Sequence, residues 1–127
     1  MTMDTFTMCR VQRTIDGYIH AKVPAPMRTS VQLVYDMDDH SLTLHEKLPG
    51  TERHQWKSTP VARFTLEHGY WHVHAFQPQA QQWKPVDHIA PTSDFEQQLQ
   101  KVEEDEHQQF WPEWAEEEWD ETGAVRP

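Results

Sequence analysis

His72 and His74 come nearest to a chemical pattern in this sequence, because residues two apart on a strand project from one face. Both imidazoles can then reach one divalent ion at roughly 2.0–2.1 Å. His45 on the second expected strand, or His68 at a turn, can supply a third ligand, with Glu67 or Glu46 as the carboxylate candidates. The same residues also fit an ordinary amphipathic strand in which Tyr70, His72, His74 and Phe76 use ring area for packing. That reading is preferred, because no HExxH pattern, EF-hand loop or cysteine pair accompanies the histidines. No cofactor is implied beyond a divalent metal at this pair.

Other chemistries find little material. There is no GxSxG elbow, no Walker A and no GxGxxG motif, and four glycines in 127 residues leave few for a phosphate-cradling loop. The single cysteine, Cys9, lies in an amphipathic stretch and is expected to be a small buried apolar residue; one cysteine permits no intrachain disulfide. Glu103 and His107 stand four apart on an expected helix, which a solvated face explains. Trp71 and Trp83 are expected as core anchors on neighbouring strands, and Arg28 can pair with Glu46 across the sheet end.

The second anomaly is the stretch FWPEWAEEEWDETG. The formal charge is −10, yet residues 1–102 carry 11 acidic and 10 basic side chains, whereas Glu103 to Glu121 carry ten acidic ones and no Lys or Arg. The body is nearly neutral and the negative charge is concentrated at the C-terminal end. The stretch reads as a solvated tail, as a segment packed back on the body, or as a binding segment, the last two favoured by the cost of leaving Trp114 and Trp119 in water. Direct nucleic-acid binding is disfavoured, since no cluster of Lys and Arg is available to neutralise phosphates.

These residues need a scaffold. Met8, Val11, Ile15, Tyr18 and Ile19 recur at helical spacing, so a helix is expected from Asp4 to about His20, ended by Pro24 and Pro26. Alternation at Val31, Leu33, Tyr35 and Met37 and again at Leu42 and Leu44 predicts a hairpin turning at Asp38-Asp39-His40. Pro49 to Thr59 reads as a loop. Ala62, Phe64 and Leu66, the turn His68-Gly69, and Tyr70 to Gln77 predict a second hairpin. Gln82 to Val86 can add a fifth strand, which Pro85 confines to an edge or a strand end. Ser93 with Glu96 forms a capping box for a second helix from about Asp94 to Phe110.

The fold class is therefore α+β: an N-terminal helix, a four- to five-stranded antiparallel sheet of two hairpins, and a C-terminal helix packed on the sheet. A barrel wrapped around the first helix is the alternative. At 127 residues one core is the starting assumption, with residues 1–111 as the domain and 112–127 as an acidic Trp-rich segment. Mean hydropathy is −0.89, but six Trp, five Phe and three Tyr supply the apolar area that disordered chains lack. No signal-like segment and no run of about 18 apolar residues appears, which gives a cytoplasmic expectation.

The order of these motifs resembles a bacterial family, Domain of Unknown Function 3024. The resemblance rests on Pro26 with Arg28, Glu46 to Pro49, Pro60-Val61-Ala62, Trp71, Trp83 and the run from Leu99 to Phe110, and spans residues 24–111. Gln77-Pro78-Gln79 stands where that pattern leads one to expect a basic and an acidic residue, and the chain after Trp111 is additional to it. The resemblance implies a compact domain and says nothing about its chemistry. The residues themselves suggest a small non-enzymatic interaction protein using Trp114, Trp119, Glu116, Glu117 and Glu118 against a protein partner. The alternatives are a metal protein built on His72 and His74, or a nucleic-acid mimic whose carboxylates occupy a basic groove.

Overall fold

The structure is a computed structural model that describes residues 3–27, 30–49, 56–107 and 109–111. Helix α1 (Thr5–Lys22) is capped by Asp4, whose side chain accepts the Thr7 N–H at 2.7 Å, and it ends before Pro24. Val11 and Ile15 form its buried stripe, with Met8, Tyr18 and Ile19 packed alongside. Cys9 lies on the exposed side instead of the buried one expected, because a position two before Val11 falls on the opposite flank of a helix with 3.6 residues per turn.

Five strands follow as an antiparallel meander in sequence order: β1 (Gln32–Met37), β2 (Ser41–Pro49), β3 (Trp56–Glu67), β4 (Tyr70–Gln77) and β5 (Gln82–Pro85). This is the α+β architecture expected, and the open edges at β1 and β5 rule out a closed barrel among the described residues. His68 and Gly69 both take positive φ, 51° and 84°, so the β3–β4 turn has the two left-handed positions of a type I′ hairpin. The expected loop at Pro49 to Thr59 shrinks, since Pro49 pairs with Trp56 and Thr59 with Glu46 in the β2–β3 ladder. Gly50 to Gln55 lie outside the described residues.

Alternation decides the faces. Leu33, Leu42, Leu44, Ala62, Phe64, Leu66, Trp71, Val73 and Ala75 point to one side and join Val11, Ile15, Phe95, Leu99 and Val102 of the two helices in one core. Helix α2 (Phe95–Glu104) enters through Phe95, whose ring packs edge-on against Phe64 and Trp71 with centroids 5.1 Å from each. Its N-cap is Asp94, accepting from Glu96 and Gln97, one residue after the expected Ser93. Buried Gln98 donates to the carbonyls of Trp71 and Ala90 at 2.8 and 3.0 Å, so its amide is satisfied inside the core.

Helix α2 is shorter than the periodicity suggests. Asp105 takes φ 45°, ψ 53°, a left-handed stop, and its carboxylate then accepts the amides of Gln109, Phe110 and Trp111 at 2.7, 3.1 and 2.8 Å. His107 consequently leaves the helix and its ring lies 3.9 Å from that of His88, while Glu103 is held by Lys22 and Tyr18. No helix of the described residues is long and apolar enough to cross a membrane.

Trp71 is 3% exposed at the centre of this packing. Trp71→Ala is expected to destabilise the domain by about 3–5 kcal/mol through loss of a large buried ring, read as a lower midpoint in chemical denaturation; an unchanged midpoint contradicts the placement of Trp71 in the core.

Candidate functional site

Two features of the fold stand out as surfaces that can receive a ligand, and the first follows from a mismatch between strands. The β2–β3 register shifts between Leu44 and His45, pairing them with Ala62 and Pro60, so Val61 is an extra residue in β3. Such a bulge tolerates Pro60, which has no amide to donate to a ladder. On its other side β3 pairs with β4 only from Ala62 onward. Lys57 to Val61 therefore have no β4 partner, and a cavity of about 510 Å³ opens there.

The cavity's apolar walls are Pro60, Val61, Phe76, Phe110 and Trp111, and Glu46, Ser58, Thr59, Gln81 and Gln109 bring polar groups to it. Glu46 is 4% exposed, a deeply buried carboxylate in a cavity wall. A mostly apolar hollow of this size with few polar groups is the usual form of a ligand site. Trp111 is fixed in the wall from three directions. Its indole N–H donates to the Val102 carbonyl at 3.2 Å, its amide meets Asp105, and the Lys22 ammonium sits 4.5 Å from its ring. Lys22 in turn bridges to Glu103 at 2.9 Å, and burial together with that carboxylate raises the Tyr18 hydroxyl far above the usual phenol range.

The second feature is the sheet face that carries no helix. Arg63, Thr43, His72, His74, Phe76 and Trp83 share it, since Arg63 is the register partner of Thr43 on one side and His74 on the other, and Phe76 pairs with Trp83. Arg63 Nε donates to Thr43 Oγ1 at 3.0 Å and its guanidinium carbon lies 4.6 Å from the Trp83 ring, which itself packs edge-on against Phe76. Trp83 is therefore not the core anchor expected: the register places it with Phe76, on the side opposite Trp71.

The expected metal pair has a mixed outcome in space. His72 and His74 do share this face, as the strand period requires. His72 Nε2 lies 3.7 Å from Glu67 Oε2, and His45, two strands away, lies 3.5 Å from Asp36 Oδ2. Among the described residues the grouping of three donor atoms within 4.8 Å is Asp38, Asp39 and His40, at the exposed β1–β2 turn. Asp38 there accepts from the amides of His40 and Ser41 and from the Ser41 hydroxyl, which accounts for it as a turn residue. Trp114, Trp119, Glu116, Glu117 and Glu118 lie outside the described residues, as does Arg28 of the expected pair with Glu46.

Sequence reasoning missed Arg63, Thr43 and the cavity wall. The available signal for Arg63 was a cation at the centre of a strand flanked by Ala62 and Phe64. His74 Nδ1 is buried without a hydrogen-bond partner. Burial lowers the His74 pKa below its ordinary value, with the charges of His72 and Arg63 adding to the depression, against opposing pulls from the Glu67 carboxylate and the Arg63 backbone. Unfolded chain then binds the proton more readily than the folded domain, so stability is fullest above the unfolded value of about 6.5 and declines as pH falls below it. The thermal midpoint is expected to drop between about pH 7.5 and 5.5, and less steeply in His74→Gln; equal slopes in the two proteins contradict this.

No curated protein and no solved structure matches the chain. The family match begins in the residues ahead of α1 and ends just past Trp111, so it takes in both helices, the whole sheet and the cavity wall. The model of the family described as Domain of unknown function (DUF3024) matches residues 3–112, and the chain belongs to that family.

Proposed function

We propose that this is a small non-enzymatic interaction domain that engages a protein partner through its sheet-end cavity and the acidic Trp-rich segment that follows it. The observation that carries the reading is the position of Phe110 and Trp111: both line the 510 Å³ cavity, and the chain continues from there into residues 112–127. A partner bound at the cavity is next to Trp114 and the carboxylates of Glu116, Glu117 and Glu118 in sequence. Rings supply affinity by leaving water, and clustered charge of one sign speeds encounter with a basic-rimmed surface. A cytoplasmic setting belongs to the same reading.

A second reading, a divalent-metal site at His72 and His74, draws on their shared face and the unpartnered His74 Nδ1. It requires a stoichiometric ion in untagged protein that disappears in the His72→Ala/His74→Ala double variant.

The interaction reading is tested by ending the chain at Trp111. That protein is expected to keep its cooperative unfolding transition and to lose the partner recovered by the full chain. Retention of every partner by the folded, shortened chain contradicts the reading. Trp114→Ala/Trp119→Ala is expected to weaken capture at all salt concentrations, whereas neutralising Glu116, Glu117 and Glu118 weakens it chiefly at low salt, because charges further apart than about 8 Å are screened at physiological ionic strength.

A further inference from the structure

The two edges of the sheet are not equivalent, because strand alternation turns different backbone groups outward on each. In an antiparallel pair, successive residues direct their N–H and C=O alternately toward and away from the neighbouring strand. The Asp38 amide donates to the Ser41 carbonyl at 3.0 Å, so Asp36, Val34 and Gln32 bond to β2 while Leu33, Tyr35 and Met37 direct their backbone groups outward. Among the described residues those outward groups meet no other backbone. At the far edge the Val86 amide donates to the Val73 carbonyl, so Lys84 and Gln82 bond to β4, and Trp83 and Pro85 face outward. Pro85 has no N–H, and a strand of 4 residues carrying a Pro and a Lys is a guarded edge. Strand β1 has 6 residues, a single charge at Asp36, and no Pro, Lys or register shift, so its edge is unguarded.

We propose that β1 pairs antiparallel with β1 of a second copy of this chain, across a two-fold axis at Tyr35, so that two sheets join into one. Outward residues must meet outward residues, which leaves registers centred on Val34, Tyr35 or Asp36. A centre at Asp36 sets two carboxylates directly opposite each other, and a centre at Val34 sets Met37 against Val31, whose amide is already given to the Met27 carbonyl. The Tyr35 centre pairs Tyr35 with its own copy and Leu33 with the partner's Met37, so every outward group of the strand is satisfied. It also sets Val34 opposite the partner's Asp36. A hollow of about 210 Å³, lined by Ile19, Val23, Gln32, Leu33 and Val34, lies along this edge where the partner's Met37 arrives. Ile19, Tyr35 and Met37 are only partly buried in the single chain, which leaves apolar area for a second copy to cover. Charge opposes the contact, since each copy carries −10, and the pairing rests on backbone bonds and apolar side chains. A strand of 6 residues is about 20 Å long. With side chains on both faces it covers on the order of 400 Å² per copy, short of the roughly 800 Å² of a standard interface, so the dimer is weak and concentration-dependent. None of the residues lining the sheet-end cavity belongs to β1, and the pairing does not depend on the function proposed for that cavity.

The full chain is followed by analytical ultracentrifugation and by amide hydrogen exchange from micromolar to millimolar concentration. A monomer–dimer equilibrium is expected, with exchange at the Leu33, Tyr35 and Met37 amides slowing as dimer forms and exchange at the Trp83 amide on the opposite edge unchanged. Raising salt should tighten the dimer, because the like charge of the two copies is then screened over a shorter distance. Val34→Asp places like charges opposite each other twice per dimer and should weaken association at least about fivefold. The double variant Val34→Asp/Asp36→Lys makes both pairs opposite in sign and should recover it. Thermal unfolding reports whether the variants fold, and the exchange measurement on the unaltered chain decides the matter if they do not. A chain that stays monomeric with these three amides unprotected at millimolar concentration overturns the proposal. So does a dimer that protects Trp83 instead, or one that a folded Val34→Asp leaves unchanged. Protection of the three amides in a monomer, independent of dilution, also overturns it and assigns the edge to another segment of the same chain.

Discussion

Edge-on packing of Phe95 between Phe64 and Trp71 is the contact on which the remaining architecture depends. It joins α2 to the two central strands and so determines which side of the sheet is dry. Once that side is chosen, the strand period of two assigns every other side chain. Val73 and Ala75 go inward, and His72, His74 and Phe76 go outward. Aromatic edge-to-face pairs add about 0.5–1.5 kcal/mol each beyond the burial of their area. The buried Gln98 amide, bonded to two carbonyls in the same region, holds α2 at one setting over β4.

The cavity is the consequence of a count that does not match. Strand β3 has 12 residues and β4 has 8, and the ladder between them starts only at Ala62. The surplus half of β3 needs another cover, which the segment after α2 partly provides. Asp105 makes that turn in the chain: its left-handed backbone stops the helix and its carboxylate gathers three amides in succession. Trp111 is thereby delivered to the cavity wall and gripped by Lys22, so α1, α2 and the sheet end meet at one indole.

Charge is separated along the chain in a way the fold gives meaning to. The ion-pair contacts of the body are mostly exposed and contribute little to stability. Arg63 forms no ion pair among the described residues: Thr43 and Trp83 hold it, and Asp36 and Asp38 line the same small hollow. A cation held by Thr43 and Trp83 and a concentrated run of carboxylates at the C-terminal end of the sequence occur in one molecule.

Much of the scaffold was legible from local pattern alone. Helical spacing from Met8 to Ile19, alternation through both hairpins, the His68-Gly69 turn and the edge position of Pro85 all reappear in the structure, because each depends on side chains a few residues apart. The family was legible too, from spaced Pro, Trp and charged positions that the match over residues 3–112 bears out. The extra residue at Val61, the stop at Asp105, the outward placement of Trp83 and the setting of Arg63 between Thr43 and Trp83 were not. Each depends on how distant segments are registered against one another: a bulge exists only relative to a partner strand, and the neighbours of Arg63 are set by the strands paired on either side of it. Sequence determined the elements and their buried faces through short-range periodicity, while the cavity and the cation platform were decided by inter-strand register, a property that no single segment contains.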